Sequence, residues 1–430
     1  MILLAHENHN PLIVWQYHVS KENFFKENNT INFLKIRGSF GLLGSDKIPD
    51  NLYLGRLGGQ GAYVFNGNLT TGTAIGILPN PNVKWEAEQK LDIGFDIQLF
   101  KSKIDITADY FENIRTDFLI PSISISGING AAAPGSGPPT INAGSVKNSG
   151  FEFAINYKDK FSESFNFKLA YNVASIKNLV TQVNNSTRYL ESENFGITSP
   201  LIARMQEGYT VGYFLGYKTD GIFQNQAEIN AHPSQANLGS NVTSPGDIRY
   251  KDTNSDGVID SNDRVDLGNP IPKFTMGFNT TLEYKNFEFN IYSYASLGNK
   301  AVRGYERVLS DVNKLNYVLD RWTGEGTSNT VPRVTTGASN NNVFSDYFVE
   351  DASFLRIQNI QLGYTLNQKV TEKIGINKFR FYFSIINFYT FTKYRGFDPA
   401  ISNGKPIGGG IDNGFYPTPK IYTLGFNINF

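Results

Sequence analysis

The sequence predicts an all-β protein, an antiparallel transmembrane β-barrel with long loops, of which this chain supplies roughly ten to twelve strands. Three observations lead to this prediction. Apolar and polar residues alternate strictly along segments of about ten residues, the length that a tilted strand needs to cross a bilayer. Short turns and long loops follow these segments in alternation. The chain ends in an apolar row that closes on Phe430.

The composition suits strands that are apolar on one face and wet on the other. The chain has 430 residues with 33 Phe and 23 Tyr, yet hydrophobic residues make up 40% of it. Lys+Arg and Asp+Glu both count 39, so no net charge favours a nucleic acid as a partner. Because the chain has no Cys, disulfides, thiolate catalysis and Cys-ligated metal centres are excluded.

Other membrane signals are missing from the sequence. No window approaches eighteen uninterrupted apolar residues, so a transmembrane helix is not expected. The start, MILLAHENHN, has a short apolar run and no positive residue before it, so we do not expect a signal peptide within this chain.

Alternating segments predict a series of hairpins. In LDIGFDIQL, Leu91 to Leu99, the apolar side chains share one face, and a tight turn leads to KIDITADYF, Lys103 to Phe111. The same arrangement recurs in GFEFAINY with FNFKLAYNV, in FTMGFNTTLEY with FEFNIYSYA, and in KFRFYFSIINFYTF, which the final strand KIYTLGFNINF follows.

Long segments rich in Gly, Pro and Asn separate these hairpins, at 121–145, 185–205, 225–270, 300–345 and 396–418. Short turns at one end and long loops at the other are typical of outer-membrane barrels. Alternating strands alone would also fit a soluble β-sandwich, but its connections are usually shorter. The Asp, Asn, Gln and Lys of the polar face favour a wet lumen. Aromatic residues near expected strand ends predict interfacial girdles: Trp85, Tyr110, Tyr157, Tyr171 and Tyr284.

The last strand carries one apolar face to the end of the chain. This row resembles the assembly signal by which bacterial outer-membrane barrels are recognised, and it implies the barrel assembly machinery and outer-membrane lipid as partners. The row consists of Tyr422, Leu424, Phe426, Ile428 and Phe430.

Several further stretches resemble segments of a known protein family: NPNVKWE, SVKNSGFEF, GYKTDGIFQ, PGDIRYKDTNSDGVIDSNDRVDLGNPIPKFTMGF, RWTGEGTSNTVPR and FLRIQNIQLGYTL. In order and spacing they resemble the carboxy-terminal half of SusC/RagA-type TonB-dependent transporters of Bacteroidota. The resemblance runs from about Phe33 to Phe430, and the block from Pro245 to Phe278 is its most specific part.

This resemblance implies a 22-stranded barrel filled by an amino-terminal plug. It identifies residues 1–430 as the carboxy-terminal part of that barrel, in the cell outer membrane, and we expect this chain to lack the plug and signal peptide. A SusD-like surface lipoprotein would serve as the lid, and the TonB complex would act through the missing plug. A partial barrel leaves two unpaired sheet edges, which lipid cannot satisfy.

The stretch DTNSDGVIDSND, within an insertion at 245–270, has the spacing of a calcium loop. Side-chain oxygens are expected at positions 1, 3, 5, 9 and 12 and a backbone carbonyl at position 7, with Gly257 allowing the sharp turn. The predicted ligands are Asp252, Asn254, Asp256, Val258, Asp260 and Asp263. Asp263 stands where an EF-hand has a bidentate Glu. The sequence therefore predicts a structural Ca²⁺, and the alternative is a metal-free run of Asx turns.

One segment breaks the β pattern. VLSDVNKLNYVLDRWTG has Val308, Val312, Leu315 and Leu319 at helical spacing, which predicts one short helix within a loop. Trp322 follows it and is a candidate for stacking on a sugar, although packing of the loop against itself is the favoured alternative.

The sequence shows no catalytic motif, and we expect no enzymatic activity. Asp92 and Asp96 share a strand face and are expected to line a solvated lumen rather than a glycosidase site. The function implied is TonB-dependent import of a bulky nutrient, an oligosaccharide or a peptide. Two alternatives stay open: a surface adhesin or binding barrel, and a secreted calcium-binding β protein.

Overall fold

The computed structural model describes residues 3–5, 11–25, 29–45, 52–55, 57–120, 136–195, 198–236, 238–239, 242–306, 313–335, 339–402 and 404–430. Within them, twelve strands form one large antiparallel sheet, as expected. In chain order they are β1 (Leu3–Ala5), β2 (Leu12–His18), β3 (Ile31–Ser45), β4 (Glu86–Leu99), β5 (Ile104–Ile120), β6 (Ile141–Ser162), β7 (Phe165–Val183), β8 (Phe274–Tyr284), β9 (Phe287–Leu297), β10 (Phe354–Thr365), β11 (Lys378–Thr392) and β12 (Ile421–Asn429).

Smaller elements lie in the connections. The additional strands are Leu57–Phe65, Asn68–Ile75, Tyr189–Phe195, Thr198–Gln206, Tyr213–Gly216, Thr219–Ile222, Ile248–Tyr250, Val265–Asp266, Lys300–Arg303, Val349–Asp351 and Ile411–Asp412. The α-helices are α1 (Gln226–Ala231) and α2 (Gln368–Thr371), and the 3₁₀ helices are Val19–Lys21, Ser261–Asp263, Asn316–Asp320, Asn340–Asn342, Asp346–Phe348 and Glu372–Ile374.

The large sheet is a meander in which each strand pairs with its neighbours in chain order. The predicted hairpins are confirmed, since Ile93 pairs with Tyr110 and Phe151 pairs with Ser175. Between β4 and β5, Lys101 lies in a turn of left-handed backbone with φ 58°. β1 and β12 are the outermost strands, so the sheet is not closed within the described residues.

The two faces of this sheet differ as the alternation predicts. On the outward face Ile93 is 50% exposed and Phe95 is 41% exposed, although both are apolar. On the inward face Asp92 and Asp96 form ion pairs with Arg37. Apolar side chains without protein cover on one face and ion pairs on the other are the pattern of a barrel wall between lipid and lumen.

An aromatic row crosses the sheet at its short-turn end. Its members are cross-strand neighbours: Phe165, Tyr284, Phe287, Tyr364, Phe381 and Phe426. Tyr284 was expected in such a girdle and ends β8. Tyr171 was also expected there, but it lies in the interior of β7, because that strand extends 19 residues and continues into the long-loop end.

The structure corrects the sequence analysis in the connections. The segment 185–205, read as a loop, contains the paired strands Tyr189–Phe195 and Thr198–Gln206. The start of the chain contains β1 and β2, which precede the alternating segments that predicted the hairpins. The predicted loop helix is a 3₁₀ helix at Asn316–Asp320 in its described part, and residues 307–312 lie outside the described residues. Among the described residues, no helix is long and apolar enough to cross a membrane.

The assignment of faces can be tested on β8. Phe278 lies near the middle of the strand, points outward and is 43% exposed, and Asn279 beside it points inward. We expect Phe278→Arg to lower the free energy of unfolding from bilayers by about 2–4 kcal/mol, because it places a charge in hydrocarbon and so destabilises the folded protein. Asn279→Arg is the matched control and should cost well under about 1 kcal/mol. Equal costs in urea titrations of the two variants would contradict the assignment.

Candidate functional site

At the long-loop end, two connections fold together into one unit, which we call the loop domain. It consists of the described residues of 184–273, between β7 and β8, and of 298–353, between β9 and β10. Its buried apolar side chains form a core of their own, continuous with the upper end of β7. This core consists of two apolar clusters, the first around Ile202, Met205, Phe214 and Phe344 and the second around Tyr217, Ile222, Ile248, Tyr250 and Ile259. A core of this kind makes the two connections a folded platform rather than independent loops.

A buried ion pair joins the two halves of the loop domain. Asp247 has no exposed surface, and its Oδ1 accepts hydrogen bonds from Arg333 Nε at 2.7 Å and Asn341 Nδ2 at 3.0 Å. Its Oδ2 accepts from the backbone N–H of Ser244 at 2.9 Å. Because a buried carboxylate requires a counter-charge and filled lone pairs, this network fixes one half against the other.

Tyr250 also joins the two halves of the loop domain. Its hydroxyl donates to the carbonyl of Asn340 at 2.6 Å, and its backbone N–H donates to Gln235 Oε1 at 3.2 Å. Burial raises the pKa of Tyr250, since the charged phenolate would have to leave water. The hydroxyl therefore stays a donor throughout the physiological pH range.

The predicted calcium loop lies at the surface of the loop domain, and its carboxylates accept hydrogen bonds from the loop's own backbone. Asp252 accepts from Ser255 N at 2.7 Å and from Gly257 N at 2.9 Å, and Asp256 accepts from Val258 N at 2.9 Å. Gly257 has φ 87°, a left-handed conformation that favours glycine. The contact of Asp256 with Val258 N is an Asx turn, and so are those of Asn254 with Asp256 N at 3.0 Å and of Asp260 with Asn262 N at 2.7 Å.

Asp263 closes the loop from inside. It is fully buried, and it accepts from Thr253 N at 2.7 Å and from Asp260 N at 2.9 Å. Burial by itself raises the pKa of the Asp263 carboxyl, but the backbone N–H donors outweigh it and hold that pKa below its ordinary value. The carboxylate of Asp263, which was expected to complete the metal shell, thus accepts hydrogen bonds from the backbone instead.

The fit of these residues to calcium is partial. The donor types suit Ca²⁺, since Asp252, Asn254, Asp256, Asp260 and Asp263 all carry oxygens. The amide nitrogen of Asn254 donates to Asp256 Oδ2 at 3.0 Å, as in a metal-free turn. In the described part of the chain, no three acidic or histidine side chains converge in an arrangement that could hold a metal ion.

Trp322, the candidate sugar-stacking residue, is packed within the loop domain. Its indole N–H donates to Gln224 Oε1 at 3.2 Å, and its ring contacts the second apolar cluster around Ile248 and Tyr250. A Cβ added to Gly246 would lie 2.4 Å from the indole ring, so this face is covered by backbone.

A cavity of about 100 Å³ lies in the loop domain between Phe195, which ends its strand, and the 3₁₀ helix Asn316–Asp320. Its walls combine aromatic rings with amides and a cation: Tyr317, Tyr347, Phe348, Arg333, Asn341 and Asn342. Beneath it, Arg303 has no exposed surface and forms ion pairs with Glu306 and with Glu350, whose Oε1 lies 2.8 Å from Arg303 Nε. This mixture of rings and hydrogen-bonding groups is suited to a polar organic ligand.

The inward face of the wall is lined by a second charge network. Arg37 on β3 contacts Asp92 at 3.1 Å, Asp96 at 3.5 Å and Asp109 at 2.6 Å. A Cβ at Gly94 would lie 1.8 Å from Asp109 Oδ1, so glycine is needed for this approach. The carboxylates Asp92 and Asp96 thus line the inner wall in ion pairs, as expected.

The terminal row occupies the outward face of β12. Tyr422 is 64% exposed, Leu424 is 81% exposed and Phe426 is 64% exposed. Ile428 pairs with Phe379 of β11, and Phe430 follows the last paired residue. The row is therefore presented to the membrane side of the sheet, and its role as an assembly signal stays a prediction.

Fold and faces together define an outer-membrane β-barrel protein, and comparison with known proteins identifies its family. Residues 48–292 match the family model described as TonB dependent receptor-like, beta-barrel. The chain is 30% identical to TonB-dependent receptor P3 of Formosa agariphila and 29% identical to TonB-dependent receptor SusC of Bacteroides thetaiotaomicron. These alignments cover 97% and 98% of this chain but 41% and 40% of the two relatives.

Solved structures agree on the fold. A chain of the RagAB peptide transporter superimposes with a TM-score of 0.78 at 20% identity, covering 98% of this chain and 43% of that one. The chain belongs to the TonB-dependent receptor β-barrel family, and its resemblance to the SusC/RagA type is confirmed. It spans about two fifths of the length of the relatives that it matches.

The Asp247–Arg333 pair could not be predicted from the sequence, because the two residues are 86 positions apart in the chain. Neither residue lies in a local pattern that marks a buried ion pair. A signal was nonetheless present, because Asp247 belongs to the stretch PGDIRY and Arg333 to TSNTVPR, and both stretches resemble segments of the transporter family. Stretches that resemble one family can thus contact each other although they are far apart in sequence.

We expect Asp247→Ala to loosen the loop domain while leaving the wall folded. Removing Asp247 leaves the guanidinium of Arg333, which is 26% exposed, without its partner, and breaking such a pair costs up to about 3 kcal/mol. Thermolysin should then cut the loop domain faster in the folded protein. Asp220→Ala is the control, because Asp220 is 64% exposed and pairs with Arg249 at the surface, at 3.3 Å. Equal cleavage rates for the two variants would show that the ion pair does not hold the domain.

Proposed function

We propose that the protein takes part in TonB-dependent import of a bulky nutrient across the outer membrane. The observation that carries the proposal is a membrane wall with an ion-paired polar face beneath a folded loop domain. A wet inner face permits a polar cargo to pass, and a folded platform above it supplies fixed contact groups. The relatives' names, receptors and a transporter, agree with this function rather than with catalysis.

The cargo that we propose is an oligosaccharide or a peptide. At about 100 Å³ the cavity beside Tyr317 and Tyr347 would hold one side group of such a cargo, since aromatic faces pack on sugars and side chains alike, and Asn341, Asn342 and Arg333 supply amide and guanidinium donors. A peptide is favoured by the likeness in fold to RagAB, which is described as a peptide transporter.

We further propose that this chain is the carboxy-terminal part of the barrel. Strands from the remainder of the transporter would pair with the outer edges of β1 and β12, because an unpaired edge cannot be satisfied in hydrocarbon. A plug within the completed barrel would connect to the TonB complex, and a SusD-like surface lipoprotein would close the platform from outside.

Uptake measurements test the proposal. Cells that carry the intact gene should accumulate fluorescent oligosaccharides or peptides, and this uptake should cease in a strain without functional TonB, because the energy comes from the inner membrane. Binding at the cell surface without TonB-dependent uptake would instead identify an adhesin or binding barrel. Recovery of the protein in buffer without detergent would identify a secreted protein.

We also propose that the loop Asp252–Asp263 binds one structural Ca²⁺. The support is its donor spacing and its two left-handed residues, Ser255 and Gly257, which already give the loop its sharp turn. Binding would require Asn254 and Asp256 to turn from each other toward a shared centre. All ligands would come from the protein, so the ion would stabilise the loop domain and have no catalytic role.

Calorimetric titration of the folded protein with Ca²⁺ should reveal one site that Asp256→Ala abolishes, because the variant loses a central carboxylate. Asp266→Ala, outside the loop, serves as the control and should bind as wild type does. No heat of binding in the wild-type protein would leave the loop as a run of metal-free Asx turns. An unchanged isotherm in Asp256→Ala would place the ion elsewhere.

A further inference from the structure

The cavity beside the 3₁₀ helix Asn316–Asp320 has room for one small group of a cargo. Its volume is about 100 Å³. A water molecule takes up about 30 Å³ in the liquid, so a group of a few heavy atoms fills the cavity. Part of the wall is apolar and consists of Val318, Val331, Pro332 and Val334. The group that fits this wall therefore has an apolar end.

The charged side chains in the wall of the cavity are neutralised within the protein. The carboxylate of Glu306 forms an ion pair with the buried Arg303 and accepts a hydrogen bond from the hydroxyl of Tyr317. The guanidinium of Arg333 donates to Asp247 through Nε at 2.7 Å and through Nη2 at 3.2 Å. An ionised cargo group would lose its water in the cavity without meeting an uncompensated opposite charge, which is unfavourable.

The other ionisable groups of the wall leave this balance unchanged. Lys314 lies at the rim and is exposed, so water screens its ammonium group. Burial raises the pKa of Tyr317 and the pKa of Tyr347, since a phenolate would be poorly solvated there. Both hydroxyls therefore stay neutral at physiological pH. Among the described residues, the buried part of the wall presents no uncompensated charge.

Two hydrogen-bonding groups of the wall are left for a ligand. Neither the side-chain amide of Asn342, which is partly buried, nor Nη1 of Arg333 has a hydrogen-bond partner among the described residues. Asp247 Oδ1 accepts from both Arg333 Nε and Asn341 Nδ2, at 2.7 and 3.0 Å. This shared contact holds Arg333 close to Asn341 and to Asn342, the next residue in the chain. The cavity therefore offers a guanidinium donor, an amide donor and an amide acceptor beside an apolar wall.

We propose that this cavity binds an uncharged amide group of the cargo, either the acetamido substituent of an amino sugar or the side chain of a glutamine. An amide both donates and accepts hydrogen bonds, as the side chain of Asn342 does, and its carbonyl oxygen suits Nη1 of Arg333. The adjoining methyl or methylene carbon would lie against the apolar wall, which a sugar hydroxyl leaves unused. The inference rests on the proposed import of an oligosaccharide or a peptide, and it names the group by which either is held.

The test uses the transporter purified in detergent from outer membranes of cells that carry the intact gene, and calorimetric titration measures the dissociation constants of matched probes. Tri-N-acetylchitotriose or the tripeptide Ala-Gln-Ala should bind, and the one that binds identifies the source of the amide. Its charged counterpart, chitotriose or Ala-Glu-Ala, should bind about tenfold more weakly or worse. Cellotriose, which is neutral but has no amide, should bind as weakly as chitotriose does.

Variants of Asn342 locate the site. Asn342→Leu removes the amide at similar size and should weaken binding of the amide probe about tenfold. Asn342→Asp should strengthen binding of chitotriose, because an uncompensated carboxylate attracts its ammonium groups. Asn313→Leu is the matched control, since it changes an exposed amide of the same connection outside the cavity, and it should bind the probes as wild type does.

Equal binding of an amide probe and its charged counterpart would overturn the proposal. So would failure of both amide probes to bind the wild-type protein, or undiminished binding in Asn342→Leu. Uptake in cells is measured separately, so uptake that depends on TonB while neither amide probe binds would refute the amide site and leave the import function standing. Migration of the unheated protein on gels reports folding. If Asn342→Leu does not fold, Asn342→Ser replaces it, and the same loss is expected.

Discussion

The structure depends on one constraint, which is that hydrocarbon offers no hydrogen-bond partner to a peptide group. Each strand between β2 and β11 therefore has a neighbour on both sides, and register is kept over long stretches, as in the 11 consecutive pairs of β8 with β9. Pairing fixes the side-chain alternation, since a slip by one residue would bring Asp92 to the lipid and Ile93 to the lumen. The apolar outer face and the ion-paired inner face are consequences of that register.

Beyond the membrane, water can satisfy peptide groups, and the chain there forms the loop domain with its own buried core. β6 and β7 continue beyond the hydrocarbon, and their upper ends supply Val146 and Val180 to the core of the loop domain. The wall thus acts as the base on which the platform folds. Asp247 and Arg333 then join two connections that the sheet itself holds apart. In the proposed import function, this coupling would keep the aromatic and amide groups of the cavity in fixed positions.

The wall could be predicted from sequence because the pattern that determines each strand lies within the strand itself. Alternation along LDIGFDIQL or FTMGFNTTLEY specifies both the strand and its lipid-facing side, and the short turns specify the partner. The loop domain could not be predicted in this way. Strands such as Tyr189–Phe195 form there within a core contributed by residues far away in the chain, and the partner of Asp247 is 86 residues distant. The calcium loop was located by its spacing, but spacing does not determine whether carboxylates turn to a metal or to the backbone.

The most direct test of the central claim is a spin-label scan of β8 in bilayers, which is practical because the chain has no Cys and every introduced one is unique. Labels at outward positions should be accessible to oxygen and shielded from a water-soluble nickel chelate, and labels at inward positions should show the reverse. The outward positions are Met276, Phe278 and Thr280, and the inward positions are Thr275, Asn279 and Thr281. Two sets with the same accessibility would contradict a wall that separates lipid from water.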